Sequence, residues 1–213
     1  MERTLALETI KKVGEEILLK GWVNRRRDHG KIIFLDLRDR SGLVQLVAST
    51  ERLDGSVQRL VEEIRSEFVV EALGEVVERS EKSVNPDLPT GKVEIKLKDL
   101  KIISRAETLP FPIDTDGREI EEEIRFEYRY LDLRRTRMAK NIRDRHRVTS
   151  FLRNYLTNEG FVEIETPILT KTTPEGARDF IVPSRLQKGK VYALPQSPQQ
   201  YKQLLMVAGF ERY

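Results

Sequence analysis

Residues 21–47, GWVNRRRDHGKIIFLDLRDRSGLVQLV, set the reading of the first half of the chain. Short runs that alternate apolar and polar residues, at 17–25, 32–38 and 43–48, are separated by the turn-forming dipeptides His29-Gly30 and Ser41-Gly42. Such alternation fits half-buried strands, because successive side chains on a strand point to opposite faces. Working outward, Val57, Leu60, Val61 and Ile64 fall at helical spacing within 56–65, and two further strand regions follow at 68–79 and 93–103. Three strands, a helix and two more strands is the order of a five-stranded OB-fold β-barrel.

The same alternation sorts the faces. Ile33, Leu35 and Leu37 point into the expected barrel and leave Phe34, Asp36 and Arg38 outside; Val44 and Leu46 oppose Gln45; Val93, Ile95 and Leu97 oppose Glu94 and Lys96. With the run Arg25-Arg26-Arg27, the outer face carries a flat ring, an amide, carboxylates and guanidinium groups. Those groups suit splayed single-stranded bases, with stacking worth roughly 1–3 kcal/mol per base. Each group alone has a second reading, as surface Phe, water-facing Gln or a solvated Arg turn.

The second half reads differently. Residues 104–124 form a Pro-containing acidic connector, LPFPIDTDG followed by REIEEEI, at which composition places a boundary. Residues 125–147 hold nine Lys and Arg and merge into an amphipathic helix whose stripe is Val148, Phe151, Leu152, Tyr155 and Leu156, stopped by Gly160. Solvated face and RNA-backbone contact are equally open readings of the basic run. FVEIETPIL, 161–169, reads as a strand broken at Pro167. Ser197-Pro198-Gln199-Gln200 starts a last helix: Ser at the N-cap, Pro at the first helical position, Gln able to close a capping box. Gln199 and Lys202, three apart in its first turn, suit a small carboxylated ligand; a capped helix with a solvated Lys is the other reading.

Composition sets outer bounds. The 213 residues carry 38 Lys and Arg against 35 Asp and Glu, so any nucleic-acid contact must come from local patches and not from a global field. The absence of Cys excludes disulfides and thiolate metal sites, and two isolated His, His29 and His146, make no metal cluster. Nothing resembles a signal peptide or a long apolar run, so a soluble, cytoplasmic, non-membrane protein is expected.

The motifs TPEGARDF (173–180), VPSR (182–185) and YALPQSPQQYKQLLM (192–206), with 21–47 and YRYLDLRR (128–135) ahead of them in order, resemble bacterial aspartyl-tRNA synthetases across essentially the whole chain. Lysyl and asparaginyl enzymes share the architecture, but the RRRD loop, YRYLDLRR and TPEGARDF are spelled as in the aspartyl type. The resemblance implies an α+β protein: an OB-fold anticodon-binding barrel at 1–104, a hinge at 105–124, and at 125–213 the first part of a class II catalytic domain with an incomplete antiparallel sheet. It further implies ATP-dependent, Mg2+-requiring aminoacylation of tRNA-Asp with L-aspartate. The enzyme would be a homodimer joined through motif 1, the helix, strand and Pro167 read above.

Residue by residue, the resemblance assigns Phe34 to stacking on an anticodon base and Arg27, Gln45, Arg79 and Glu94 to anticodon recognition, Glu94 reading the wobble G or Q. His29, where the family commonly has an apolar residue, and Ser83, where it commonly has Asn, imply relaxed reading that extends to tRNA-Asn; neighbouring Asn85 is an alternative to Ser83. Glu175 in the TPEGA loop, Ser197, Gln199 and Lys202 are implied aspartate-binding groups. The family's motif 2 and motif 3 arginines, which hold the ATP phosphates, and its Mg2+ ligands are expected to lie outside these 213 residues. No complete catalytic set, no full ATP or Mg2+ site and no aspartyl-adenylate formation is therefore expected of this chain. A stand-alone OB-fold binder of tRNA or single strands, or a synthetase-interacting module without catalysis, is the alternative.

Overall fold

The computed structural model describes residues 1–173 and 178–213 and divides into two compact units, Met1–Thr136 and Arg137–Tyr213.

The first unit is built on a closed barrel of five strands, β1 (Glu16–Asp28), β2 (Ile32–Arg38), β3 (Leu43–Ser49), β4 (Val69–Glu78) and β5 (Val93–Ser104), paired in the order β1-β2-β3-β5-β4. β4 closes onto β1, so no edge is left open. All pairs are antiparallel except β3 with β5, which is the parallel closure of this topology. The alternation that marked the strands is the burial pattern: Ile33, Leu35, Leu37, Val44, Leu46, Val93 and Ile95 are buried inside. Strong curvature brings backbones together, and two glycines permit it. A Cβ on Gly21 would stand 2.4 Å from the Arg38 carbonyl oxygen, and one on Gly74 2.5 Å from that of Lys96.

Helix α1 (Gly55–Glu63) is started by Asp54, whose side chain accepts from the Gly55 amide, and it inserts Val57 and Val61 into the barrel core. Burying a valine of this kind stabilises by about 1.5–3 kcal/mol. The helix stops before the expected 65 because Ile64 turns to extended backbone while its side chain stays in the core. A 3-10 turn at Ala6–Lys11 is among the elements not foreseen. Asp39 and Ser41 hold it by accepting from the Ala6 and Leu7 amides at 2.7 and 3.0 Å.

The connector and YRYLDLRR belong to the same compact unit as the barrel. After α2 (Glu122–Glu127), Leu131 of α3 (Arg129–Asp132) joins Phe111 and Ile113 in a second small core. Arg135 is fully buried beside it: Nε donates to Asp132 Oδ1 at 2.9 Å, and Nη2 to the Pro112 carbonyl at 2.7 Å. Its Nη1 donates to the Thr115 carbonyl and hydroxyl oxygens at 3.1 and 2.8 Å. Arg134 and Arg38 both donate to Glu67 Oε2, and both guanidinium groups lie about 6 Å from the Trp22 ring centroid, at 5.8 and 5.9 Å. Of the basic run, Arg129, Arg134 and Arg135 are thus committed to intramolecular pairs.

The second unit is carried by α4 (Thr136–Asn158), β6 (Ile181–Pro183), β7 (Val191–Ala193) and α5 (Gln199–Val207). Both helices end in left-handed glycines. Phe161 N donates to Leu156 O past Gly160, and Phe210 N to Leu205 O past Gly209, each at 3.0 Å. The expected stripe Val148, Phe151, Leu152, Tyr155 and Leu156 is present and exposed, with Phe151 and Tyr155 stacked at 6.2 Å. The expected strand at 161–169 is not formed. Among the described residues the segment has no ladder partner beyond the single bond from Val162 N to Arg212 O at 3.0 Å; Thr170 bridges to Ala193, while β6 and β7 pair with each other.

Candidate nucleic-acid interface

Strand register decides which outward side chains meet. Phe34 on β2 lies opposite Arg27 on β1 and Val47 on β3, and Asp36 lies opposite Arg25 and Gln45. A bulge at Asn24 resets the β1 parity, so that Trp22 and Arg27 both face outward although their offset along the strand is odd. β5 then brings Glu94 beside β3, through the Leu46–Ile95 register. A concavity of about 440 Å³ results on one side of the barrel.

Seven residues expected from the sequence line this concavity together: Arg27, His29, Phe34, Gln45, Arg79, Ser83 and Glu94. Ile32, Val47 and Asn85 complete it. Ile32 and Val47 share the outward parity of Phe34 and Gln45, so the alternation contained them. They went unnamed because a single exposed aliphatic carries no chemical signal.

The polar groups form one chain of contacts. Arg27 Nη2 donates to Asp36 Oδ1 at 2.7 Å and to Gln45 Oε1 at 3.2 Å. Gln45 Nε2 passes the chain to Glu94 Oε2 at 3.3 Å, and Arg79 Nε lies 3.7 Å from the same oxygen. Arg79 also donates to the carbonyls of Val93 and Ser83, at 3.0 and 3.4 Å. Its side chain is only 4% exposed, yet Nη2 finds no hydrogen-bond partner among the described residues. Arg27 Nε is buried and unpartnered in the same way. Arg27, partly exposed, and Arg79, buried, thus set two guanidinium groups beside a carboxylate acceptor, a combination that suits base edges and phosphates. Burial lowers the pKa of Arg79, opposed by Glu94 and Asp36. Burial raises that of Asp36 above the ordinary aspartate value, opposed by Arg27, Arg25 and Arg79.

The ring of Phe34 is framed on two sides. Arg27 Cζ lies 5.8 Å from its centroid, and the His29 ring meets it edge-on. Ser83 reaches the rim through the 3-10 turn Glu81–Ser83, its hydroxyl 2.8 Å from that of Ser80. Gly91 lets the adjoining loop fold tightly, since a Cβ there would collide with the Asn85 carbonyl.

In the second unit the expected aspartate-binding residues are only partly gathered. Ser197 and Gln199 meet at the start of α5, where the Ser197 hydroxyl accepts from the Gln199 amide at 3.2 Å. Lys202, a turn on, lines a groove of about 590 Å³ with Pro198, Tyr201 and Leu205; Ser197 and Gln199 do not line it. Glu175 lies outside the described residues. Pro167 is exposed in the unpaired segment.

Comparison with known proteins agrees with both halves. The model of an OB-fold nucleic acid binding domain matches residues 17–103, and that of class II tRNA synthetases (D, K and N) matches residues 121–213. The chain is 56% identical over 205 residues to the aspartate–tRNA(Asp/Asn) ligase of Geobacillus sp. (strain WCH70), covering 96% of this chain and 34% of that protein. It is 54% identical over 204 residues to the enzyme of the same name from Caldanaerobacter subterraneus subsp. tengcongensis, with the same coverage. The aspartate–tRNA ligase of Staphylococcus aureus (strain Newman) is 52% identical over 201 residues, 94% of this chain and 34% of that protein. The chain thus spans about a third of the length of these relatives. In fold it is similar to the asparaginyl-tRNA synthetase of Pyrococcus horikoshii solved with asparaginyl-adenylate, with a TM-score of 0.81, 24% identity and coverage of 97% of this chain and 45% of that one. An OB-fold nucleic acid binding domain and a class II tRNA synthetase (D, K and N) segment thus follow one another in this chain, which at 52–56% identity is similar to bacterial aspartate–tRNA ligases.

Proposed function

We propose that the barrel face holds the anticodon loop of tRNA-Asp for an ATP-dependent aspartate–tRNA ligase of the cytoplasm. The observation that carries this reading is the convergence of seven residues from four strands and two loops on one concavity. Phe34 offers the stacking surface, Arg27 and Arg79 donate, Glu94 accepts from a wobble guanine, and Gln45 both donates and accepts. Reading of the last anticodon base is relaxed, so that tRNA-Asn is also taken. His29 against the Phe34 ring and Ser83 at the rim support this, as do relatives named for both tRNAs.

The start of α5 supplies part of an aspartate site. Lys202 pairs the ligand's side-chain carboxylate as a point charge, and Ser197 and Gln199 hydrogen-bond to it near the helix N-terminus, with Glu175 favouring the α-ammonium. The exposed α4 stripe and Pro167 form a homodimer face. Among the described residues no group of three or more His, Asp or Glu is disposed to hold a metal ion.

Binding of an RNA hairpin with a GUC anticodon loop, against one with a scrambled loop at two salt concentrations, tests the reading. Preference for GUC that persists at the higher salt is expected. Equal binding that falls steeply with salt would reduce the face to a non-specific cation patch.

A further inference from the structure

The contact chain on the barrel face is anchored by a residue that does not line the concavity. Asp36 lies beneath it on β2, its side chain 15% exposed, between Arg25 on one neighbouring strand and Gln45 on the other. It takes the Arg27 guanidinium at 2.7 Å, and the same Nη2 reaches Gln45 Oε1 at 3.2 Å. A Gln amide can turn either end outward. Donation from Arg27 fixes Oε1 inward on that side and leaves Nε2 facing Glu94 at 3.3 Å. One carboxylate thus sets the place of a guanidinium, the orientation of an amide and, through the amide, an acceptor that lies on a strand 49 residues further along.

The charge balance points the same way. Arg25, Arg27 and Arg79 all act on Asp36, and Glu94 is the other carboxylate of the face. A face that only gripped phosphates would gain nothing from a buried anion under its arginines; one that must place donors against particular base edges gains orientation from it.

Resting on the anticodon reading above, we propose that Asp36 is a positioning residue for selectivity: through Arg27 and Gln45 it fixes the donor and acceptor pattern shown to the anticodon bases, at the cost of some attraction for the RNA backbone. Its removal should therefore separate two quantities that simple destabilisation would lower together. Selectivity should fall while non-specific affinity holds or rises.

The test uses the full chain with Asp36→Asn and Asp36→Glu, measuring Kd for the GUC hairpin and the scrambled hairpin across a salt series. Expected for Asp36→Asn is a loss of about tenfold or more in the ratio of the two affinities, the scale of one lost base-edge pair. Binding of the scrambled hairpin should be no weaker than wild type, and Asp36→Glu should restore part of the ratio. In an Arg27→Ala background, Asp36→Asn should change the ratio no further, because the two act as one unit. Wild-type selectivity that survives in both Asp36 variants, or losses that add with Arg27→Ala, would overturn the role of Asp36 alone. A wild-type chain that holds both hairpins equally would overturn the anticodon reading itself, and this role with it. Should Asp36→Asn not fold, Asp36→Glu and the Arg27→Ala comparison still decide the matter, since Arg27 is partly exposed at the barrel rim.

Discussion

The His29 ring stands edge-on to Phe34, with centroids 5.5 Å apart and planes at 81°. The contact puts a polar, rotatable ring beside the Phe34 platform, where an aliphatic would present only a wall. Replacing His29 with Leu should sharpen discrimination between hairpins that differ only in the last anticodon base, GUC against GUU. Competition binding of the two hairpins checks this, and an unchanged ratio would remove His29 from the reading.

Among the described residues, the ring contacts of Phe34 are with the His29 edge and the Arg27 guanidinium. Phe34→Ala should cost the GUC hairpin about 1–3 kcal/mol of binding, and Phe34→Tyr little. Thermal stability should barely move, because the ring is not part of the barrel core. A large drop in Tm with unchanged binding would show that the ring serves packing.

Arg135 and Asp132 form a fully buried pair, and Arg135 has three further acceptors, at Pro112 and Thr115. Asp132→Ala leaves the buried Arg135 cation without its counter-charge and should destabilise the first unit by about 3–5 kcal/mol in denaturant unfolding; Arg135→Ala should cost less, because Arg129 Nη1 still donates to Asp132 Oδ2 at 2.8 Å. Arg135→Lys should not rescue, since an ammonium cannot reproduce the planar fork.

Gly117 has a φ of +78°, and a Cβ there would stand 2.6 Å from Arg135 Nε. Gly117→Ala should cost at least about 1 kcal/mol from backbone strain alone, before any displacement of the arginine. Gly189, with a φ of +74° and nothing within 4 Å, is the control: its Ala variant should show the strain cost without the clash.

Burial holds the pKa of Asp36 above its ordinary value. A carboxyl group with a raised folded-state pKa favours the folded state at pH below its unfolded value, and that contribution is lost as pH rises through the folded one. The stability of wild type relative to Asp36→Asn should therefore be greater at about pH 3 than at neutral pH, by denaturant unfolding at both. The opposite slope would mean that the Arg27 pair outweighs the burial of the carboxyl.

Strand alternation alone determined the barrel and its faces. Phe34, Gln45 and Glu94 had to share the outer side once Leu35, Leu46 and Ile95 were committed to the core, because the side-chain period of a strand is two and admits no other arrangement. Motif spelling likewise pointed to the bacterial aspartate–tRNA ligases to which the chain is similar. Tertiary structure decided which outward residues touch. The Arg27–Gln45 contact spans 18 residues, Gln45–Glu94 spans 49 and Glu67–Arg134 spans 67, so each depends on tertiary packing, and the first also on a bulge at Asn24 that no local pattern announces. The same holds for the basic run, where a sequence cannot separate a solvated arginine from Arg135, buried to nothing by a connector some twenty residues earlier in the chain. Segment 161–169 shows the converse limit: its strand-like residues set a propensity, but a strand exists only where a second backbone accepts its hydrogen bonds.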